Sequence, residues 1–245
     1  MKVNTNSNTY IIIYSVVMVV VVAVLLSLAA LGLKSRQDAN ILNEKQTQIV
    51  KALGEDPAAV AYNDVIEKAV LLDASGAVVS EDTDAVFAAL NDLKGSFAAG
   101  QYPLFIATSG VVVPLYGAGL WGPIWGYVAL DTDMNTVKGI VLDHSGETPG
   151  LGAEITTAKH QAQYVGKSVF EGEELVGITL KKGGADKSNP HEVDAITGGT
   201  KTSDGVSAMI LNSLNYYKPY FDAVRAAAAA EEVESNELNN ENNEQ

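Results

Sequence analysis

Residues Tyr10 to Leu33 read YIIIYSVVMVVVVAVLLSLAALGL, twenty-four residues without one charge. As a helix this run spans about 36 Å at ~1.5 Å per residue, enough to cross a hydrocarbon core of ~30 Å with some tilt. The competing reading is a cleaved signal peptide, with Ser27-Leu28-Ala29 as its small-residue site. The run is too long for an ordinary signal h-region, and Lys2 is the one charge that precedes it. A retained transmembrane helix over 10–33 is therefore the expectation, after a short flank, 1–9. Lys2 and the amino terminus lie on one side, Lys34 and Arg36 on the other. That count weakly puts the following domain in the cytoplasm.

The net charge of the chain is −14. This excludes general attraction to nucleic acid or to an anionic membrane surface. There is no Cys, so disulfides, thiolate zinc sites, iron–sulfur ligation and cysteine catalysis are excluded within this chain.

After the membrane run, Leu42, Gln46, Ile49, Val50 and Leu53 fall near one helical face, and Gly54 is a stop. The apolar helix is expected to continue here as a stalk. Residues 58–72 read as a helix ending in a short strand, and DASGAVVS as a hairpin turn. Residues 82–93 form an amphipathic helix, with Val86, Phe87, Leu90 and Leu93 on one face. From Gly100 the texture changes. YPLFIAT, GVVVPLY, IWGYVAL and TVKGIVLD are short β-rich runs divided by Gly, Pro, Asp and Asn. A helix is expected over 153–164, a strand in LVGITLKKG, and a helix over 204–217 with Val206, Met209, Ile210, Leu214 and Tyr217 at helical spacing. The closing EEVESNELNNENNEQ has no basic residue and is expected to be disordered. The fold class is α+β: one membrane helix (10–33), a stalk and N-terminal α+β part (34–98), a main domain (99–218), and a helix end with acidic tail (219–245).

The densest chemistry lies in VDAITGGTKTSDGV, residues 193–206, where Thr197, Thr200, Thr202 and Ser203 surround Gly198-Gly199. A P-loop needs G-x-x-x-x-G-K-[ST]. Lys201-Thr202 supplies its end, but residue 200 is Thr and residue 195 is Ala, so nucleoside-triphosphate hydrolysis is not indicated. The simplest reading is a helix cap through Thr202 or Ser203, worth ~1 kcal/mol. It leaves Thr197 to Thr200 unexplained. Free N–H groups at a helix start also form an anion site, two glycines allow close backbone approach, and Lys201 adds charge. A hydroxyl at the mouth of such a site, Thr200, is placed to carry a phosphoryl group.

The run DAITGGTKTS resembles the flavinylation motif of proteins that carry FMN in phosphoester linkage to threonine. That pattern is Asp, a small residue, an aliphatic, Ser or Thr, Gly, a small residue, the acceptor Thr, any residue, then Thr and often Ser. It falls here on residues 194–203, with Gly199 where Ala is commonest. The resemblance makes Thr200 the acceptor and implies a dedicated flavin transferase. DHSGETPGLGAEI, residues 143–155, resembles the Glu-Thr-Pro-Gly-Leu-Gly signature of the same FMN-binding domain. By that resemblance Leu151 lines an apolar slot for the ring, a tight turn forms at Gly150, and Glu147 and Thr148 bond ring heteroatoms or the ribityl chain. PLYGAGLWGPIWGYVAL, residues 114–130, resembles the Gly-Leu-Trp stretch of one branch, the C subunit of the Na+-translocating NADH:quinone reductase, and brings in Leu120 and Trp121.

What this implies is a membrane-anchored electron carrier with covalent FMN on Thr200, surrounded by Thr197, Gly198, Gly199, Thr202 and Ser203. Its partners would be the other subunits of a membrane oxidoreductase complex that oxidises NADH, reduces quinone and exports Na+. The chain itself has no Rossmann fingerprint, and the carrier would not be catalytic alone. By resemblance the domain lies on the periplasmic face of the inner membrane, against the weak bias of Lys34 and Arg36. The alternatives are the G subunit of the Rnf electron-transport complex, which shares the flavin motifs, and a non-redox extracytoplasmic binding domain. His144, His160 and His191 lack metal-ligand spacing. Asp131 and Asp133 open like a calcium loop without its Gly and distal Glu, and read as turn residues. Trp121, Trp125 and Tyr127 read most simply as core or surface aromatics.

Overall fold

A computed structural model describes residues 7–243, with side chains as far as Ala230. Residues 1–6, which include Lys2, and the side chains of the acidic tail lie outside the described residues; the backbone of that tail, expected to be disordered, is helical as far as Asn243. The chain divides into two units, residues 1–45 and 46–245.

Helix α1, Asn8–Ala52, makes up the described first unit from Asn8 onward and continues unbroken through the stalk segment. Side chains along its apolar run, Ile11, Val19 and Leu31 among them, are exposed. It is the one helix among the described residues long and apolar enough to cross a membrane, a test of length and composition that a signal sequence also passes.

In the second unit the last turn of α1 is buried at Ile49, Val50 and Ala52, and Gly54, at φ +84°, turns the chain away. Over 58–72 the expected helix is a single turn, α2 (Tyr62–Val65), and the expected closing strand takes up the rest. From Ile66 the chain is strand β1 (Ile66–Leu72), paired with β2 (Val78–Ser80) on one side. A short buried apolar run such as Ala69 to Leu72 has no period that separates strand from helix. Helix α3, Thr83–Asn91, is capped by Asp82, whose carboxylate accepts from the N–H of Asp84 at 3.1 Å. It stops at Asp92, which caps a separate α4, Leu93–Ala98, through the N–H of Gly95 at 3.0 Å.

Strands β3 (Tyr102–Ala107), β4 (Gly110–Ala118), β5 (Pro123–Leu130) and β6 (Val137–His144) complete a six-stranded sheet in the order β2-β1-β3-β4-β5-β6. All neighbours are antiparallel. Asp133 accepts from the N–H groups of Asn135 and Thr136 and from the Thr136 hydroxyl, so the segment read as a β5–β6 turn is one.

Alternate residues of each strand face opposite ways. Val111, Val113 and Leu115 enter one buried cluster with Val70, Leu104, Val128 and Leu142. Val112 enters the other with Leu71, Phe105 and Ala129. The second face is closed by Ile49, Ala52 and Leu53 and by Val86, Phe87 and Leu90 of α3.

The chain also carries α5, Ala158–Gln161, which lies between two 3-10 turns, Gly152–Thr156 and Ala162–Tyr164. These three short pieces replace the helix expected over 153–164. Thr157 breaks it, with extended φ −73° and ψ 140° and a side chain that accepts from the N–H of His160. Strands β7 (Phe170–Glu171) and β8 (Glu174–Leu175) pair antiparallel, and β9 (Thr179–Lys181) pairs parallel with β10 (Glu192–Asp194). The strand expected across LVGITLKKG is therefore split. Its break lies where the N–H groups of Val176 and Gly177 both bond the carbonyl of Val169.

The first face of the sheet is closed by α6, Thr200–Asn243, through Val206, Met209, Ile210, Leu214, Tyr217 and Phe221. This helix begins four residues earlier than the spacing indicates and runs through Pro219.

Candidate functional site

Strand β4 ends at Ala118, β5 starts opposite it at Pro123, and β6 ends at His144 opposite Ile124. The loops at this end of the sheet, 119–122 and 145–151, meet the loop 195–199 that leads into α6. The approach is close because small residues permit it. A Cβ at Gly205 would lie 2.4 Å from the Ala118 carbonyl, and one at Gly117 would lie 2.6 Å from Met209 Cβ. The first turns of α6 thus rest directly on the end of β4.

Glu147, on the second of these loops, joins the first to the start of α6. It is 4% exposed. Its Oε2 accepts the Thr202 hydroxyl at 2.5 Å and its Oε1 accepts the Trp121 N–H at 3.0 Å. The N–H of Glu147 donates to His144 Nδ1 at 3.1 Å, which leaves Nε2 of a neutral ring to carry the proton. Burial pushes the Glu147 carboxyl up. The hydrogen bonds from the Thr202 hydroxyl and the Trp121 N–H outweigh it and hold the group below its ordinary value. Sequence reasoning had this side chain facing a ligand; here both its oxygens are engaged inside the protein.

Thr202 and Ser203, each 1% exposed, also face inward. They lie within the first turn of α6 and do not cap it. The Ser203 hydroxyl donates to the Gly199 carbonyl at 2.9 Å and accepts from the Ile196 N–H at 3.0 Å, tying the loop to the helix. The Gly199 N–H bonds Ile196 O, and the Ser203 N–H makes the helix's first i to i−4 bond, to Gly199 O. The N–H groups of Thr200, Lys201 and Thr202 precede that bond and have no acceptor in the helix. Gly198, at φ +75°, packs where a Cβ would come within 2.6 Å of Leu151 Cδ2.

Thr200 itself is exposed, as are Thr197, Thr148 and Gly150. Three large apolar side chains are also exposed on these loops: Trp121 at 70%, Leu120 at 53% and Leu151 at 41%. Their loops are held through the backbone: the Trp121 N–H bonds Glu147, and the Leu151 N–H bonds Thr148 O at 3.1 Å. The site therefore combines an outward hydroxyl at the start of a long helix, N–H groups without helical acceptors at that helix's positive end, and anchored apolar surface. These fit a ligand with a phosphate at one end and a flat apolar body at the other. Sequence reasoning did not place His144 and Gly119 in the site; both are half-buried beside Glu147, and their one signal is proximity to the motifs.

Such a fold and site define a flavin-nucleotide-binding domain. Residues 119–215 match the FMN-binding domain family. The chain is 32% identical over 215 residues to the C subunit of the Na(+)-translocating NADH-quinone reductase of Vibrio parahaemolyticus, covering 76% of this chain and 82% of that one. It is 32% identical over 248 residues to the C subunit of the same reductase from Yersinia pestis, covering 87% and 91%. Among solved structures it resembles the C subunit of the Parabacteroides distasonis reductase, with TM-score 0.70, 36% identity and coverage of 77% and 96%. NqrC of Shewanella oneidensis gives TM-score 0.63 at 29% identity, with coverage of 75% and 97%. The chain belongs to the family formed by the C subunits of the Na(+)-translocating NADH-quinone reductases.

Proposed function

We propose that this chain carries electrons within a Na+-translocating NADH–quinone reductase, through FMN held by a phosphoester on Thr200. The observation that carries the reading is the contrast among the motif's hydroxyls. Thr202 and Ser203 are spent inside the protein, whereas Thr200 stands exposed beside three N–H groups without helical acceptors. When bound, FMN supplies reversible redox chemistry.

Everything else falls to the chain. The first N–H groups of α6 hold the phosphate and, with the helix dipole, offset its charge. Lys201 adds a positive charge at the same mouth. Leu120, Trp121 and Leu151 supply apolar surface for the ring, and Thr148, Gly150 and Thr197 form the polar margin. The covalent link keeps the carrier from dissociating. Helix α1 anchors the domain in the membrane, which raises its effective concentration near partner subunits. The whole complex would oxidise NADH, reduce quinone and export Na+. We place the domain on the periplasmic face of the inner membrane, where a flavin transferase loads it. A reporter fused after Gln245 that is active in the cytoplasm alone ends that placement.

The deciding experiment compares wild type with Thr200→Ala, each produced together with a flavin transferase and run on a denaturing gel under ultraviolet light. A fluorescent band is expected from the wild type and none from the variant. A band that persists in Thr200→Ala moves the link elsewhere, with Thr197 next to test. A colourless wild-type protein favours a binding domain without redox chemistry.

A further inference from the structure

We propose that Glu147 is a positioning residue, a buried clasp that fixes the Leu120–Trp121 loop to the first turn of α6 and does not itself touch the ligand. The inference rests on the FMN reading for what is positioned, but its geometry stands alone. The carboxylate accepts from two separate elements: the Thr202 hydroxyl on α6 and the Trp121 N–H on the β4–β5 loop. Without it, the Trp121 N–H loses its acceptor, and the loop that bears the two most exposed apolar side chains of the site loses its anchor.

Two glycines show that the surroundings are shaped to the carboxylate. A Cβ at Gly119 would sit 2.4 Å from Glu147 Oε1. One at Gly152 would sit 2.4 Å from Oε2 and 2.5 Å from Thr202 Oγ1. Neither glycine has a positive φ, so what they supply is room for the clasp and not a special backbone conformation. The second threonine of the motif acquires a definite task by the same geometry. Its hydroxyl is a donor to Glu147, which removes it as a competing acceptor of the phosphoryl group. Thr202 and Thr200 thus divide the motif, one facing in to hold the frame and one facing out to carry the cofactor.

The test uses the full chain in two states. In flavin-free protein, hydrogen exchange of the Trp121 amide is followed in wild type, Glu147→Ala, Thr202→Val and Thr202→Ser. Exchange at this amide is expected to rise at least tenfold in Glu147→Ala and severalfold in Thr202→Val. It should stay near wild type in Thr202→Ser and be unchanged at Val112 and Val113 of β4 in all. In loaded protein, the visible circular dichroism of the flavin should change in Thr202→Val and return in Thr202→Ser. Should Glu147→Ala not fold, the Val and Ser pair decides alone. Unchanged exchange at 121 in folded Glu147→Ala, or no difference between Val and Ser, overturns the clasp. A wild-type chain that never carries a fluorescent band overturns the FMN reading instead, and the exchange result then still decides whether the clasp exists.

Discussion

The two faces of the sheet are closed in different ways. On the face covered by the end of α1 and by α3, the buried side chains are mostly apolar, from Ile49 and Leu53 to Phe87, Leu90, Phe105 and Val112; Tyr127 is buried among them, and Tyr62 packs against them with its hydroxyl buried and without a hydrogen-bond partner. The face under α6 is as apolar at its centre, but buried polar side chains gather around it: Glu147, His160, Thr202, Ser203 and Ser213. Each has a partner. Ser213 receives the N–H of Tyr116 at 3.1 Å, and His160 Nε2 pairs with the Tyr164 hydroxyl at 3.1 Å. Buried polar groups are costly unless satisfied. Their concentration on one side marks where the chain gives up simple packing for definite geometry. One face is structural ballast and responds to volume; the other responds also to pH and to single hydrogen bonds.

The largest effect expected from this contrast is on the apolar side. Phe87 packs its ring 5.7 Å from that of Phe105 and 5.9 Å from that of Tyr62. Phe87→Ala should cost about 3–5 kcal/mol in urea unfolding, the usual range for emptying a core aromatic site. Flavin loaded per folded molecule, and its visible circular dichroism, should not change. A Phe87→Ala protein that folds but shows an altered flavin spectrum would break the division between the faces.

The face under α6 should show its character in acid. Burial pushes the His160 ring down to about 4, against the opposing pull of Asp194. As pH falls below ~6.5, the unfolded chain takes up this proton first. Stability is therefore lost between 6.5 and about 4, by up to about 3 kcal/mol from this residue. Carboxylates titrate in the lower part of that window in every variant, so the readout is a difference. The slope of Tm against pH from 6.5 to 5 should be shallower in His160→Gln than in wild type. Equal slopes would remove His160 from the account.

The strands of the sheet were legible because β4, β5 and β6 carry dense β-branched and aromatic runs between clear turn residues. The strand that ends 58–72 is present but longer than expected, and the helix expected over 153–164 is broken, for a shared reason: local spacing does not include partners. Ala69 to Leu72 becomes strand because β2 and β3 lie on either side, and Thr157 stops a helix because its hydroxyl finds the His160 N–H. At the site, the motifs led to every loop that meets there. They did not tell which side chains turn inward. The spacing of Thr200 and Thr202 is compatible with either pointing out, and the burial of one is decided by Glu147, fifty-five residues away.

A smaller effect follows from crowding at that carboxylate. Gly152→Ala puts a methyl group against Glu147 Oε2 and Thr202 Oγ1. Overpacking of this kind costs about 1–3 kcal/mol. Loss beyond that range in thermal or urea unfolding would mean that the loop carries more of the fold than the site's geometry implies. No loss would mean that the carboxylate moves freely, contrary to a clasp.

The smallest effect on stability is expected at Lys201, where the site meets solvent. Its ammonium lies 3.9 Å from Asp204, with side chains 75% and 61% exposed. A pair so exposed contributes ~0.5 kcal/mol or less, and Lys201→Ala should leave the unfolding midpoint almost unmoved. Its charge nevertheless adjoins Thr200, at the end of α6 where a phosphate has to arrive. Loading by the transferase should slow severalfold in Lys201→Ala at low salt, and the gap from wild type should narrow as salt screens the attraction. Asp204→Asn should act oppositely, by releasing the lysine from its partner. A loading rate indifferent to both variants would assign the phosphate entirely to the backbone N–H groups of α6, and Lys201 would then be a solvated residue whose place beside Thr200 carries no function.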